Sequence, residues 1–182
     1  MRTARIIVLF GVTACASSPT LTNGTSSQTS QVAVGNRTIA MLSVIAEADP
    51  VSTPLAASPG GAWAQVPAAY SDLGIPLSFS QPDNMMAGNQ GLNIRRQIGG
   101  VGLRNYLLCG NDGGGPNADS YLISMNIATQ IQKESDGTSK VATVMDATAT
   151  SMTLGTNQIR CSSTGELEKR VNEIVAKRLN LR

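Results

Sequence analysis

Histidine is missing from this chain, and with it go the commonest general base and the commonest metal ligand. Chemistry through carboxylates remains open; a histidine-based triad does not. Charged residues are sparse, at 14% of the chain, and nearly balanced, with 14 basic against 12 acidic. A chain so close to neutral has no overall electrostatic footprint for nucleic acid or for an anionic membrane surface. Long apolar runs are also missing. The one near the start, Ile6 to Val12, is too short for a membrane-spanning helix, which takes about 20 residues.

That short run has informative neighbours. Arg2 and Arg5 precede it, and Val12-Thr13-Ala14-Cys15 closes it with small residues and a cysteine. A basic start, a brief apolar middle and small residues at a cut describe a secretory signal. With Cys15 directly after the cut, the stretch resembles the lipobox of bacterial lipoproteins; the other reading is an ordinary signal peptide followed by a stray cysteine. The resemblance implies removal of residues 1–14, S-lipidation of Cys15 and a firm membrane anchor through several acyl chains. In such lipoproteins an aspartate after the cysteine favours the inner membrane. Ala16 stands here, so an outer-membrane anchor facing the periplasm is implied.

Loss of residues 1–14 leaves twelve charges of each sign, and lipidation of Cys15 leaves two further cysteines, Cys109 and Cys161. An even pair in an oxidising compartment is expected to form a disulfide, the alternative being two free thiols. Closing a loop of that length stabilises by about 4 kcal/mol in the chain-entropy picture.

Residues 15–36 are mainly Ser, Thr, Asn, Gln and Gly, and read as the lipidated cysteine followed by a flexible tether. A single folded domain is expected over 37–182. Thr38 to Ile45 reads as its first strand, and Pro50, Pro54 and Pro59 mark a loop. Trp63, Val66, Tyr70 and Leu73 fall at helical spacing before Gly74, with Pro67 awkwardly placed among them. Trp63 and Tyr70 read as core residues, with a binding face as the other possibility. Ile75 to Phe79 reads as a second strand, Gln81 to Gly91 as a polar turn region, and Leu92 to Ile98 as a third strand. Gly99 to Gly115 is irregular and rich in glycine.

Clearer patterns follow. Tyr121, Ile123, Met125, Ile127 and Ile131 alternate with Ser124, Asn126 and Gln130, and Val141 to Ala149 forms the returning strand beyond Asp136-Gly137. One apolar and one polar face indicate an antiparallel sheet covered on one side. Asn157 to Cys161 reads as a last short strand. Ser163 with Glu166 suggests a capping box opening a long helix. Leu167, Val171, Ile174, Val175 and Leu179 mark its buried face. Glu168, Lys169, Arg170, Glu173, Lys177 and Arg178 mark its polar face.

These elements make an α+β domain: about five antiparallel strands packed on one face by the long C-terminal helix and a shorter N-terminal helix. The element order, the Trp63-to-Gly74 helix and the lipobox together resemble the helix-grip arrangement of BamC-type lipoproteins of outer-membrane assembly. The implied role is a binding or scaffold module for another envelope protein or ligand. A disulfide would pin the glycine-rich loop beside the last helix, making Arg104, Tyr106, Asn111 and Asp112 the candidate binding corner.

Of Arg95 and Arg96, only one is expected to join an anion site, because adjacent strand residues face opposite ways. The alternative to a binding module is a carboxylate enzyme acting on envelope material through Asp112, Asp119 or Asp146. The loop at Asp112 and Asp119 has neither the alternate ligands nor the closing glutamate of an EF-hand. No metal, cofactor or nucleic-acid partner is expected.

Overall fold

The computed structural model describes residues 50–152 and 158–180. Cys15, the tether and the expected strand from Thr38 to Ile45 lie outside the described residues.

Strand β1, Val51–Leu55, pairs with one neighbour only among the described residues. Pro54 stands inside it, not in a loop, because a proline on an edge strand need not interrupt a ladder. Helix α1, Pro59–Trp63, opens on Pro59, with the Ser58 hydroxyl accepting from the Gly61 N–H at 3.3 Å. Helix α2, Val66–Asp72, carries Pro67 in its first turn. The single helix expected from Trp63 is therefore two short ones, since Pro67 fits only where no helical N–H is needed. Gly74 ends the pair with φ +69°, and the Ile75 N–H closes the helix end on the Tyr70 carbonyl at 3.0 Å. That use of Ile75 delays the next strand, so β2 is Phe79–Gln81.

A 3-10 turn, Pro82–Asn84, leads into β3, Met86–Ile94, which occupies most of the expected polar turn. Gly88 there is a packing requirement rather than a breaker. A Cβ at this position would collide with the Ile127 carbonyl oxygen and crowd the Phe79 ring of the neighbouring strand. The strand stops at Ile94 instead of Ile98, and Arg96 takes a left-handed φ of +69°.

Two-residue ladders follow: β4, Gln97–Ile98, with β5, Val101–Gly102; β6, Leu107–Leu108; and β7, Asn111–Asp112, with β8, Gly115–Pro116. A 3-10 turn, Leu103–Asn105, precedes β6, and the short helix α3, Asn117–Ser120, follows β8. Then come the two long strands, β9, Leu122–Lys133, and β10, Ser139–Thr150, before β11, Gln158–Ser163, and α4, Glu166–Leu179.

Among the described residues the main sheet is antiparallel throughout and has seven strands rather than the expected number of about five. Its order is β2-β3-β9-β10-β11-β6, with β1 also paired to β10. Ile123, Met125, Ile127, Ile131, Val141, Met145, Ala147 and Ala149 are buried on its covered face; Ser124, Asn126, Gln130, Asp146 and Thr148 are half-exposed on the other. Leu167, Val171 and Val175 of α4 complete this core, together with Val66, Ala69 and Tyr70 of α2. Arg178 forks onto Asp72 with bonds of 2.6 to 2.9 Å, joining the two helices and holding that carboxyl below the usual carboxylate range.

The buried stripe of α4 differs from the expected one. Glu168 and Asn172 are buried, while Ile174 and Leu179 are only partly so. Residues 168 and 172 share a face one step around from 167 and 171, and partners on the sheet make their burial tolerable.

Candidate functional site

The Cys109–Cys161 disulfide is formed, with its α-carbons 4.2 Å apart. It ties the residue after β6 to the middle of β11. The ladder beside it pairs Leu107 with Ser163 and Leu108 with Ser162. Thr164 adds two clamps: its N–H donates to the Tyr106 carbonyl at 3.0 Å and its hydroxyl to the Asn105 carbonyl at 2.8 Å. On the far side, Asn117 donates from its side chain to the Cys109 carbonyl at 3.1 Å and from its backbone to that of Gly110 at 3.0 Å. The irregular segment is thus pinned beside the start of α4.

The four candidate residues take different positions within it. Arg104 is exposed and reaches Asp119 at 3.3 Å. Tyr106 is buried, and its hydroxyl accepts a short hydrogen bond from the Arg170 guanidinium, so it faces the core instead of solvent. Asn111 and Asp112 are exposed in the small β7–β8 hairpin, where the Asp112 carboxylate accepts from the Gly114 N–H at 2.9 Å.

Donors at the start of α4 are also engaged. Gly165, left-handed with φ +82°, is the N-cap. Its N–H goes to the Ser163 hydroxyl oxygen at 2.9 Å, and that of Glu166 goes to the Thr164 hydroxyl at 3.4 Å. The expected Ser163–Glu166 capping box is not formed, because the N-cap is Gly165, two residues too late for it. Ser163 donates to Glu168 instead, at 2.6 Å.

Glu168 is the residue that sequence reasoning misplaced most. It is 3% exposed, and its second carboxyl oxygen has no partner among the described residues. Burial pushes its carboxyl up from the ordinary range, and the Ser163 bond opposes that shift in part. The only sequence signal was a glutamate beside Leu167 at the edge of the apolar stripe.

A second polar feature crosses the core. The Tyr70 hydroxyl meets the Thr129 hydroxyl at 3.0 Å, which meets that of Thr143 at 2.8 Å. Thr143 donates to the Asn172 side-chain oxygen at 2.7 Å, and Asn172 donates to the Val51 carbonyl at 2.9 Å. Each hydroxyl has one proton, so Thr143's donation to Asn172 makes Thr129 its donor and Tyr70 the donor to Thr129. The chain runs one way, from α2 through β9, β10 and α4 to β1. Burial raises the Tyr70 phenol well above its ordinary value, keeping it a donor.

The three carboxylates considered for catalysis have separate partners. Asp112 holds the Gly114 N–H, Asp119 holds Arg104, and Asp146 accepts from Asn126 at 3.4 Å on the open sheet face. No two of them share a hydrogen bond or a cation among the described residues. Nor do three or more Cys, Asp or Glu gather there as a set of metal ligands. The arrangement is one of a clamped, solvent-facing loop region on a rigid sheet. No protein-family model and no curated protein matches the chain.

Proposed function

We propose that this chain is an envelope lipoprotein, anchored through Cys15, that serves as a binding or scaffold module for another envelope protein or ligand. One observation carries the reading: the two cysteines that remain when Cys15 is set aside are joined to each other. Such a bond persists in an oxidising compartment, which is where a lipobox would deliver the domain. The long helix laid across an antiparallel sheet is in keeping with the resemblance to BamC-type helix-grip lipoproteins. The irregular segment from Gly99 to Ser120 supplies the binding surface, held still by the disulfide and by Thr164 so that little ordering is needed on contact.

Anchoring is tested by Cys15→Ser in cells fed labelled palmitate. Loss of label, altered maturation and release from the membrane fraction are the expected results; an unchanged mass and unchanged fractionation would remove the anchor from the proposal. Photo-crosslinkers at Asn111 and Arg104 in intact envelopes then test the module. A discrete crosslinked product lost on competition with unlabelled domain is expected, and uniform labelling of bulk protein counts against a specific surface.

A further inference from the structure

The near-neutral charge of the chain conceals an uneven distribution. Arg95, Arg96 and Arg104 are all exposed, and the fold brings them to one corner. The Leu103 N–H donates to the Arg96 carbonyl at 2.7 Å, which sets the backbone at Arg96 against that preceding Arg104. The guanidinium of Arg95 reaches the Ser120 carbonyl at 3.5 Å, and that of Arg104 reaches Asp119, so two of the three converge on adjacent residues of α3.

A fourth cation supports the corner from behind: Arg170 donates to the Gly99 carbonyl at 2.9 Å and to the Tyr106 hydroxyl. Among the described residues, Asp119 is the one carboxylate paired with any of the four. Glu166, held near by Thr164, lies on the α4 side and pairs with none of them. The strand alternation that would send Arg95 and Arg96 to opposite sides ends at Ile94, and Arg96 adopts a backbone conformation uncommon outside glycine.

We infer that this arginine corner docks the domain onto an anionic bilayer surface, contacting headgroup phosphates of the membrane that carries Cys15. The inference rests on the lipoprotein reading. Two further observations favour a bilayer over an acidic protein. Leu108, on β6 and four residues beyond Arg104 in the chain, is 61% exposed, and an exposed apolar side chain on the strand that the Arg104 turn leads into suits the headgroup boundary. The 34 residues between Cys15 and Pro50 also keep the domain close to its membrane.

Each basic residue at an anionic surface contributes about fivefold in partitioning, so three together give on the order of a hundredfold, reduced by Asp119. That is weak for a free protein, whose binding shows only at high lipid concentration, and sufficient for a tethered one, whose effective concentration is in the millimolar range.

The test uses the full chain carrying Cys15→Ser, so that no acyl chain brings it down, and vesicles of phosphatidylcholine with or without phosphatidylglycerol. Sedimentation should rise by at least about tenfold with the anionic lipid and fall with added salt. Arg95→Gln, Arg96→Gln and Arg104→Gln together should return it to the zwitterionic level with an unchanged circular dichroism spectrum. Lys133→Gln, Lys169→Gln and Lys177→Gln, removing equal charge elsewhere, should leave it high.

Equal sedimentation with both vesicles, or equal loss in both triple variants, overturns the inference. So does release by inorganic phosphate but not by chloride at matched ionic strength, which indicates a soluble-anion site. Failure of palmitate labelling bears on the anchor alone and leaves this assay readable.

Discussion

Asn172 joins α4 to two strands of the sheet, β10 and β1. It accepts from Thr143 and donates to the Val51 carbonyl, so truncation strands a buried hydroxyl and a strand carbonyl together. Asn172→Ala should lower unfolding free energy by about 1–3 kcal/mol, read from urea midpoints. Thr143→Val combined with Asn172→Ala should cost less than the sum of the two, since each already breaks the shared bond. Strict additivity would mean the groups are not coupled.

Glu168 gives a prediction with a sign. The unfolded carboxyl titrates near 4.5 and the folded one above it. Between those values the folded chain keeps a proton that the unfolded chain has lost, so stability falls as pH rises through that window and levels off above it. Glu168→Gln, neutral throughout, should flatten the decline in a urea series measured across that window. An identical slope in both proteins would place the titration elsewhere.

At the level of elements, α4 shows why a helical stripe read from apolar residues alone is incomplete. Leu167, Val171 and Val175 are fully buried, as their spacing indicates, but Glu168 and Asn172 share the covered face. Leu167→Ala should therefore cost about 2–5 kcal/mol, and Ile174→Ala less, because Ile174 is only partly covered. Lys177→Ala, on the exposed side, should change stability by less than about 0.5 kcal/mol. Equal effects at 167 and 177 in thermal unfolding would mean the helix faces the other way. The β2–β3 edge carries a different constraint: at Gly88 a Cβ meets both the β9 backbone and the Phe79 ring. Gly88→Ala should therefore destabilise despite alanine's smaller entropic cost on folding.

For the whole molecule, the disulfide is the long-range staple. It spans 52 residues and joins the irregular segment to the sheet just before α4. Cys109→Ala with Cys161→Ala should lower stability by about 4 kcal/mol, with the effect falling on the unfolded ensemble. Reductant should shift the wild-type midpoint toward that of the double variant and leave the variant unmoved. Arg104→Gln should alter neither midpoint appreciably, since its pairing with Asp119 is at the surface. That separation lets surface function and stapling be measured independently.

The central hairpin and the terminal helix were legible because their periods, two and near four, come directly from backbone geometry. The α+β class followed from their order, and the disulfide from a count of cysteines. Other features needed the folded chain. Pro54 lies in a strand because it falls on an edge, and β3 extends back through apparent turn residues because Gly88 permits close approach. Tyr106 points inward because Arg170, 64 residues away, supplies its partner. The arginine corner was invisible to a net charge near zero, since composition sums charges whereas folding decides which of them become neighbours. Local spacing determines local structure; burial of a polar group and clustering of like charge depend on contacts that only the tertiary structure brings together.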